Sequence, residues 1–279
     1  MLDPHAIAKI EELVYRKPRS IQELAQAMGK NWRTADRYVE EIEKNFGTIA
    51  TRVFRGGTRG ALKVVYWASV EKVSSSIFQE RLEHDIFAHR NKEDFSAFDI
   101  FQYVPEKDRK SVVSAKEDIE EFGKLLLHAQ KQLLIFSGNL SFINLRDKNK
   151  DASQILEQLV KRKVKIKILC RVDLAGRENI EQILSLNHRY GTSYIEIRHD
   201  VHPLRGVIID GRLIRLKEQL EPTGKIRELN KKTFIFYHIS DKSWAEWLSR
   251  LFWKKFSNSM DANKRLDHLK QIRIGQTPI

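Results

Sequence analysis

Between positions 30 and 38 the chain carries Lys30, Asn31, Trp32, Arg33, Thr34, Arg37 and Tyr38. Guanidinium and ammonium groups neutralise phosphates, while amide, hydroxyl and guanidinium donors reach base edges. Further on, Arg52, Arg55, Thr58, Arg59 and Lys63 repeat the cationic theme, and no Asp or Glu occurs from Asn45 to Val70. A stretch of that kind can lie along phosphates or enter a minor groove. Other chemistry is thinly represented. The single cysteine, Cys170, lies in the apolar run 164–172, which makes it a buried core thiol and excludes an internal disulfide. His84 and His89 are five positions apart rather than four, the wrong spacing for a metal pair on one helix face. His199 and His202 could serve as a nuclease pair or sit in a loop. No metal or cofactor is called for.

The elements that must position these groups follow from local pattern. Asp3 and Pro4 suit a helix start, and Ile7, Ile10, Leu13 and Val14 give that helix a buried stripe. Ser20 and Glu23 form a capping box, after which Ile21, Leu24, Ala25 and Met28 recur at helical spacing. Gly29 supplies the left-handed turn. A second helix starts near Asn31 and turns Ala35, Tyr38, Val39 and Ile42 inward, leaving Lys30, Asn31, Trp32, Arg33, Thr34 and Arg37 on its outer side. The period then changes to two. Ile49, Thr51 and Val53 alternate, as do Leu62, Val64 and Tyr66, around the tip Arg55-Gly56-Gly57-Thr58-Arg59-Gly60. That order is a winged helix-turn-helix, in which the outer residues of the second helix face a major groove.

At 279 residues two domains are expected, and Lys plus Arg exceed Asp plus Glu by 50 − 37 = 13. Such a balance favours an anionic partner. The start MLDPHAIAKI is not a signal peptide and no apolar run reaches a membrane span, so a soluble cytoplasmic protein is expected, with no membrane partner. The reading divides the chain into a winged domain at 1–69, a helical linker or dimerisation segment at 70–113, an α/β domain at 114–260 and a basic tail at 261–279. In the linker, Ile77, Phe78, Leu82, Ile86 and Phe87 form a narrow stripe suited to a second copy or to the next domain. A helix is expected over 114–130. Strands at 133–139, 164–172 and 193–200 then alternate with helices at 151–163 and 177–190, implying a largely parallel sheet. A hairpin at 205–218 turns on Asp210-Gly211 as a two-residue loop. A strand at 233–241 and an amphipathic helix at 243–258, burying Trp244, Trp247, Leu248, Leu251, Phe252 and Phe256, close the domain.

Three passages of this second half resemble the phospholipase D-like domain: LLIFSGNLSFI at 133–143, RGVIIDGRLIRL at 205–216 and TFIFYHISDKSWAEWLSRLFWKKF at 233–256. The resemblance implies a mixed α/β sandwich and a His-x-Lys-x4-Asp motif on the 205–216 hairpin. With Asp210 as the motif aspartate, Arg205 takes the lysine position and Pro203 the position of the nucleophilic histidine. His202 is one residue early, and a one-residue slip in a strand reverses the side chain. The resemblance therefore implies a catalytically degenerate site in which Asn139, Ser141, Arg205 and Asp210 either stand nearest a bound phosphate or sugar or close a structural hydrogen-bond and ion-pair network. A winged helix joined to such a domain is similar to the archaeal TrmB-type transcription regulators, which implies a dimer on promoter or operator DNA with a sensing or assembly domain. Two alternatives stand beside this expectation. One is a phospholipase D-type phosphodiesterase or nuclease targeted by the winged helix. The other is an interaction protein whose winged domain docks general transcription machinery.

Overall fold

The structure, a computed structural model, describes residues 4–55, 61–68, 75–117, 119–147, 150–222 and 231–274. Its first unit is α1 (Pro4–Arg16), β1 (Arg19–Ser20), α2 (Ile21–Met28), α3 (Trp32–Asn45), β2 (Ile49–Arg55) and β3 (Ala61–Trp67). Ser20 Oγ accepts from the Glu23 amide at 3.1 Å and the Glu23 carboxylate accepts from the Ser20 amide at 2.7 Å, completing the capping box. Gly29 adopts φ 64°, and the Lys30 amide reaches back to the Ala25 carbonyl at 2.9 Å, closing α2 as a Schellman turn. Ile10, Val14, Leu24, Ala35, Val39 and Ile42 bury together against Ile49 and Val65 of a three-stranded sheet ordered β1-β3-β2.

The remaining elements are α4 (Ser75–Ala88), α5 (Ala97–Tyr103), β4 (Arg109–Ser114), α6 (Ile119–Leu126), β5 (Gln132–Phe136), β6 (Arg146–Asp147), β7 (Lys150–Asp151) and α7 (Ala152–Lys161). They are followed by β8 (Lys165–Cys170), α8 (Arg177–Tyr190), β9 (Ile195–His199), β10 (Gly206–Ile209), β11 (Leu213–Leu220), β12 (Thr233–Ile239), α9 (Lys242–Ser257), β13 (Met260–Asp261) and α10 (Ala262–Ile274). Eight strands form one mixed sheet in the order β13-β9-β8-β5-β10-β11-β12-β4. Only β5–β8 and β8–β9 are parallel, whereas the other five pairings are antiparallel, which corrects the expectation of a largely parallel sheet. The βαβ pattern holds for the central strands alone, and hairpins build the rest.

Alternate residues of the sheet feed two cores. Leu133 and Ile135 of β5 join Ile155, Leu159, Ile166, Ile168 and Ile183 on one face, while Leu134 and Phe136 join Tyr237, Leu248, Leu251 and Phe252 on the other. Burial on both faces explains the unbroken apolar runs of β5 and β8. Cys170 is fully buried, and burial pushes its thiol up to about 12, as expected of a core cysteine.

Several boundaries move. The region around 109–114 is a strand at the sheet edge, and the helix expected over 114–130 is the shorter α6, so the sheet takes in residues that the sequence reading assigned to the linker. The hairpin loop at Asp210 has three residues, with Asp210 at φ 50° and Gly211 at φ 65°, because Ile209 pairs with Leu213. The segment from 261, expected as a tail, folds as β13 and α10 with Ala262 and Leu266 buried. Within the linker stripe, Leu82 and Ile86 are buried in the chain's own core and Phe78 stacks on Tyr103 at 3.9 Å. Ile77 and Phe87 remain exposed.

Phe54, Leu62 and Val64 of the β2–β3 hairpin belong to the same buried cluster as Phe98, Phe101 and Tyr237. The hairpin is thus covered on both sides, by α3 and its neighbours through Ile49 and Val65, and by the large sheet through Phe54, Leu62 and Val64.

Candidate functional site

The outer face of α3 is built by its cap. Asn31 Oδ1 accepts from the Thr34 amide at 2.9 Å and from Thr34 Oγ1 at 3.1 Å, which fixes the first turn. Both side chains expected to meet a duplex are therefore engaged in the cap. Trp32 and Tyr38 are half-buried against the helical core. Arg33 and Arg37 are exposed, with Arg33 over the Trp32 ring at 5.7 Å and Arg37 over Tyr38 at 5.6 Å. Aromatic support of this kind holds a guanidinium outward without neutralising it. Lys30 is exposed on the turn before the helix, and Arg33 and Arg37, four positions apart, share one face of α3.

The hairpin contributes less than its sequence suggests. Lys63 Nζ bonds Asp36 Oδ1 at 2.7 Å and Glu40 Oε1 at 3.0 Å, both on α3. Burial pulls this ammonium down, but the two carboxylates outweigh it and hold the pKa above its ordinary value. Arg52 lies 5.0 Å from the Phe101 ring, which also carries Arg109 at 5.1 Å, so it points toward α5 beside the start of β4. Arg55 closes β2, while Thr58 and Arg59 lie outside the described residues.

A second site lies where the carboxyl ends of parallel β5, β8 and β9 meet the start of β10. A cavity of about 1060 Å³ opens there, lined by Ser137–Asn139, Ser141, Arg171, Asp200, His202 and Arg205 from the sheet side. Sheets of this kind place ligands outside the carboxyl ends of their strands. The opposite wall is the stretch from Lys17 to Glu23 together with 90–97. Asn139, Ser141 and Arg205 all line this cavity. Asp210 does not, because it sits at the far end of β10, where its carboxylate accepts from the amides of Gln130, Lys131 and Gln132 at 2.8–2.9 Å. It is a turn anchor. Burial pushes its carboxyl up, but these three amides more than compensate and hold it below the ordinary carboxylate range. Arg171 and the 17–23 wall are absent from the sequence reading. A polar residue directly after a short apolar strand marks Arg171, whereas no local pattern marks the wall.

Arg205 is locked in place. Its Nη1 donates to the carbonyls of His202 at 3.0 Å and Leu204 at 2.7 Å, while a Cβ on Gly138 would lie 3.1 Å from Nη2. The histidines are committed to backbone partners. His199 Nδ1 accepts from the Val172 amide at 2.9 Å. His202 is 2% exposed, with Nε2 donating to the Leu169 carbonyl at 3.1 Å, and burial with the nearby Arg205 charge lowers its pKa to about 3. Pro203 occupies the position between His202 and Leu204 on the cavity wall.

No protein-family profile matches the chain, and no curated protein matches it. Among solved structures it is similar to Nuc from Salmonella typhimurium, a phospholipase D family member, with 14% identity and a TM-score of 0.41 over 55% of this chain and 96% of that one. It is also similar to TrmBL2, described as an archaeal chromatin protein with a novel mode of DNA binding, with 18% identity and a TM-score of 0.41 over 91% of this chain and 93% of that one. NucT from Helicobacter pylori gives 12% identity and 0.38 over 55% and 99%. These are loose likenesses of a mixed α/β fold, and no shared family or activity follows from them.

Proposed function

We propose that the chain is a sequence-specific, duplex-DNA-binding transcription regulator that acts as a dimer. In this reading, α1–α3 and the β2–β3 hairpin are a winged helix-turn-helix, and the large sheet is a phospholipase D-like unit that senses a ligand or a partner without catalysis. The observation that carries it is the outer face of α3, where Arg33 and Arg37 stand exposed, with exposed Lys30 on the turn before it, while Ala35, Val39 and Ile42 anchor the helix from behind. A helix presented this way enters a major groove by its N-terminal half. The net charge of +13 supports an anionic partner. The exposed apolar residues Ile77 and Phe87 of α4 support a contact with a second copy. The non-catalytic reading is supported by Pro203 at the position of the nucleophile and by the burial of His202.

Footprinting on genomic fragments, followed by gel shift, tests this reading. Arg33→Ala and Arg37→Ala are each expected to cost about 1–3 kcal/mol of discrimination between the best site and a scrambled one. Equal affinity for every sequence would leave a packaging role. Metal-independent cleavage of a phosphodiester would overturn the non-catalytic reading.

A further inference from the structure

The amino ends of the parallel strands form a rim at the end of the sheet away from the cavity, and that rim is basic. Three segments meet there. The Lys165 amide donates to the Lys131 carbonyl at 3.0 Å, Lys165 lies in register with Gln132, and the Asp210 amide donates to the Gln132 carbonyl at 2.9 Å. Arg162 ties the end of α7 to the same place, donating to the carbonyls of Leu127 at 2.7 Å and Ala129 at 2.9 Å. Lys131, Lys163, Lys165 and Arg212 are exposed on these segments and form no ion pair among the described residues.

The acids around the rim are committed elsewhere. Asp210 accepts three backbone amides, with Lys131 close enough to help hold it ionised. Glu157 accepts from Tyr190 and faces Lys161 at 3.3 Å and Arg189 at 3.6 Å. Glu196 is bonded by Lys167 at 2.7 Å, and Glu246 of α9 faces Lys242 at 3.8 Å. Asp241 caps α9 through the Trp244 amide at 2.9 Å. Glu120 and Glu121 lie in the first turn of α6, whose other end leads to the rim. Cations at the end of a helix complement its carbonyls, which accounts for Lys161, Arg162 and Lys163 at the end of α7. It does not account for Lys131, Lys165 and Arg212, which sit on strand ends and a hairpin loop.

We propose that this rim is a second phosphate-contact surface, taking the sugar–phosphate backbone of a stretch of duplex DNA other than the one under α3. The proposal shares its partner with the α3 reading but uses other residues, so the two can fail separately. Neighbouring strands lie about 4.8 Å apart, so the ends of β8, β5, β10 and β11 spread the four cations over about 14 Å. One DNA strand carries about four phosphates over that length. None of the large apolar side chains exposed among the described residues belongs to the three segments. A membrane surface is met with apolar side chains as well as cations, and a protein interface with an apolar centre. A bare cationic rim fits phosphates instead. The cavity lies at the other end of β5, clear of a duplex seated here.

The experiment uses the full chain and a random-sequence duplex. Lysine acetylation of the parent chain, read by mass spectrometry, should show Lys131, Lys163 and Lys165 protected by saturating duplex while Lys107, Lys264 and Lys270 stay reactive. In a filter-binding titration, the combined variant Lys131→Gln, Lys163→Gln, Lys165→Gln and Arg212→Gln should make the slope of log affinity against log salt shallower by about 2–3, as when two or three phosphate contacts are lost. A control with the same charge change, Lys107→Gln, Lys110→Gln, Lys264→Gln and Lys270→Gln, should move the slope by less than half as much. Unprotected rim lysines, or equal slopes in the rim and control variants, overturn the rim. Rim-dependent sedimentation with phosphatidylglycerol vesicles and none with duplex assigns the surface to a membrane and also overturns it. Rim protection in a chain whose Arg33→Ala and Arg37→Ala variants discriminate sequences as well as the parent keeps the rim and sinks the α3 reading. Retention of no duplex at all overturns both.

Discussion

Two aspartates show how position sets chemistry at the scale of single residues. Asp210 accepts three backbone amides at the tip of a hairpin and is held ionised below the ordinary range. Because its folded pKa is depressed, its contribution is present above the unfolded value of about 3.9 and is lost as pH falls through the folded value. Asp210→Ala is expected to cost about 2 kcal/mol at pH 7 by urea denaturation, with the gap to the parent narrowing below pH 4. Asp99 does the opposite. Burial, aided by Glu218 and Asp85 against the opposing Arg81, raises it from 3.8 to about 8, and Gln102 Nε2 donates to its Oδ1 at 2.9 Å. The unfolded chain releases this proton near pH 4 while the folded chain keeps it to about pH 8. Stability from this group therefore falls between those values and is level above them. Asp99→Asn should raise the denaturation midpoint more at pH 8 than at pH 5. Parallel pH profiles for variant and parent would contradict this assignment.

At the scale of elements, α3 and the hairpin behind it divide the work. The helix offers Arg33 and Arg37 to solvent, and the turn before it Lys30, whereas the hairpin uses Lys63 to hold α3 through Asp36 and Glu40. Thr51 adds its amide to Glu43 at 3.0 Å, another tie from hairpin to helix. On its other face the hairpin inserts Phe54 among Phe98, Phe101 and Tyr237, with ring centroids 6.1 Å from Phe98 and 6.4 Å from Tyr237. Phe54→Ala is expected to destabilise by about 3–5 kcal/mol, the usual cost of emptying an aromatic site. Since that residue joins the two units, calorimetry should also show the parent's shared transition separating into two in the variant. A single sharp transition at a lower midpoint would place the junction elsewhere.

For the whole molecule, the excess of 13 positive charges and the exposed α3 face set the expected salt response. If each copy neutralises about 4–6 phosphates, log affinity should fall against log salt with a slope of about −4 to −5 per copy. A slope near zero in a filter-binding titration would remove the electrostatic basis of the DNA reading. No helix among the described residues is long and apolar enough to cross a membrane.

What the sequence by itself determined is what depends on near neighbours. The capping box at Ser20, the left-handed Gly29, the apolar stripe of α3, the central strands and the aromatic face of α9 were all legible. Each is fixed by residues within a few positions of one another. Charge position was legible too, but charge availability was not. Arg52, Lys63 and Asp210 look equivalent to Arg33 as polar candidates. Only the fold shows Arg52 turned toward Phe101, Lys63 spent on two α3 carboxylates and Asp210 on three backbone amides. Tertiary structure likewise decided that the sheet is mainly antiparallel, that Leu82 and Ile86 are covered by their own chain, and that Ser20 and Arg205 line one cavity. Strand direction and cavity walls arise from residues far apart in sequence, and no local period records which of them meet.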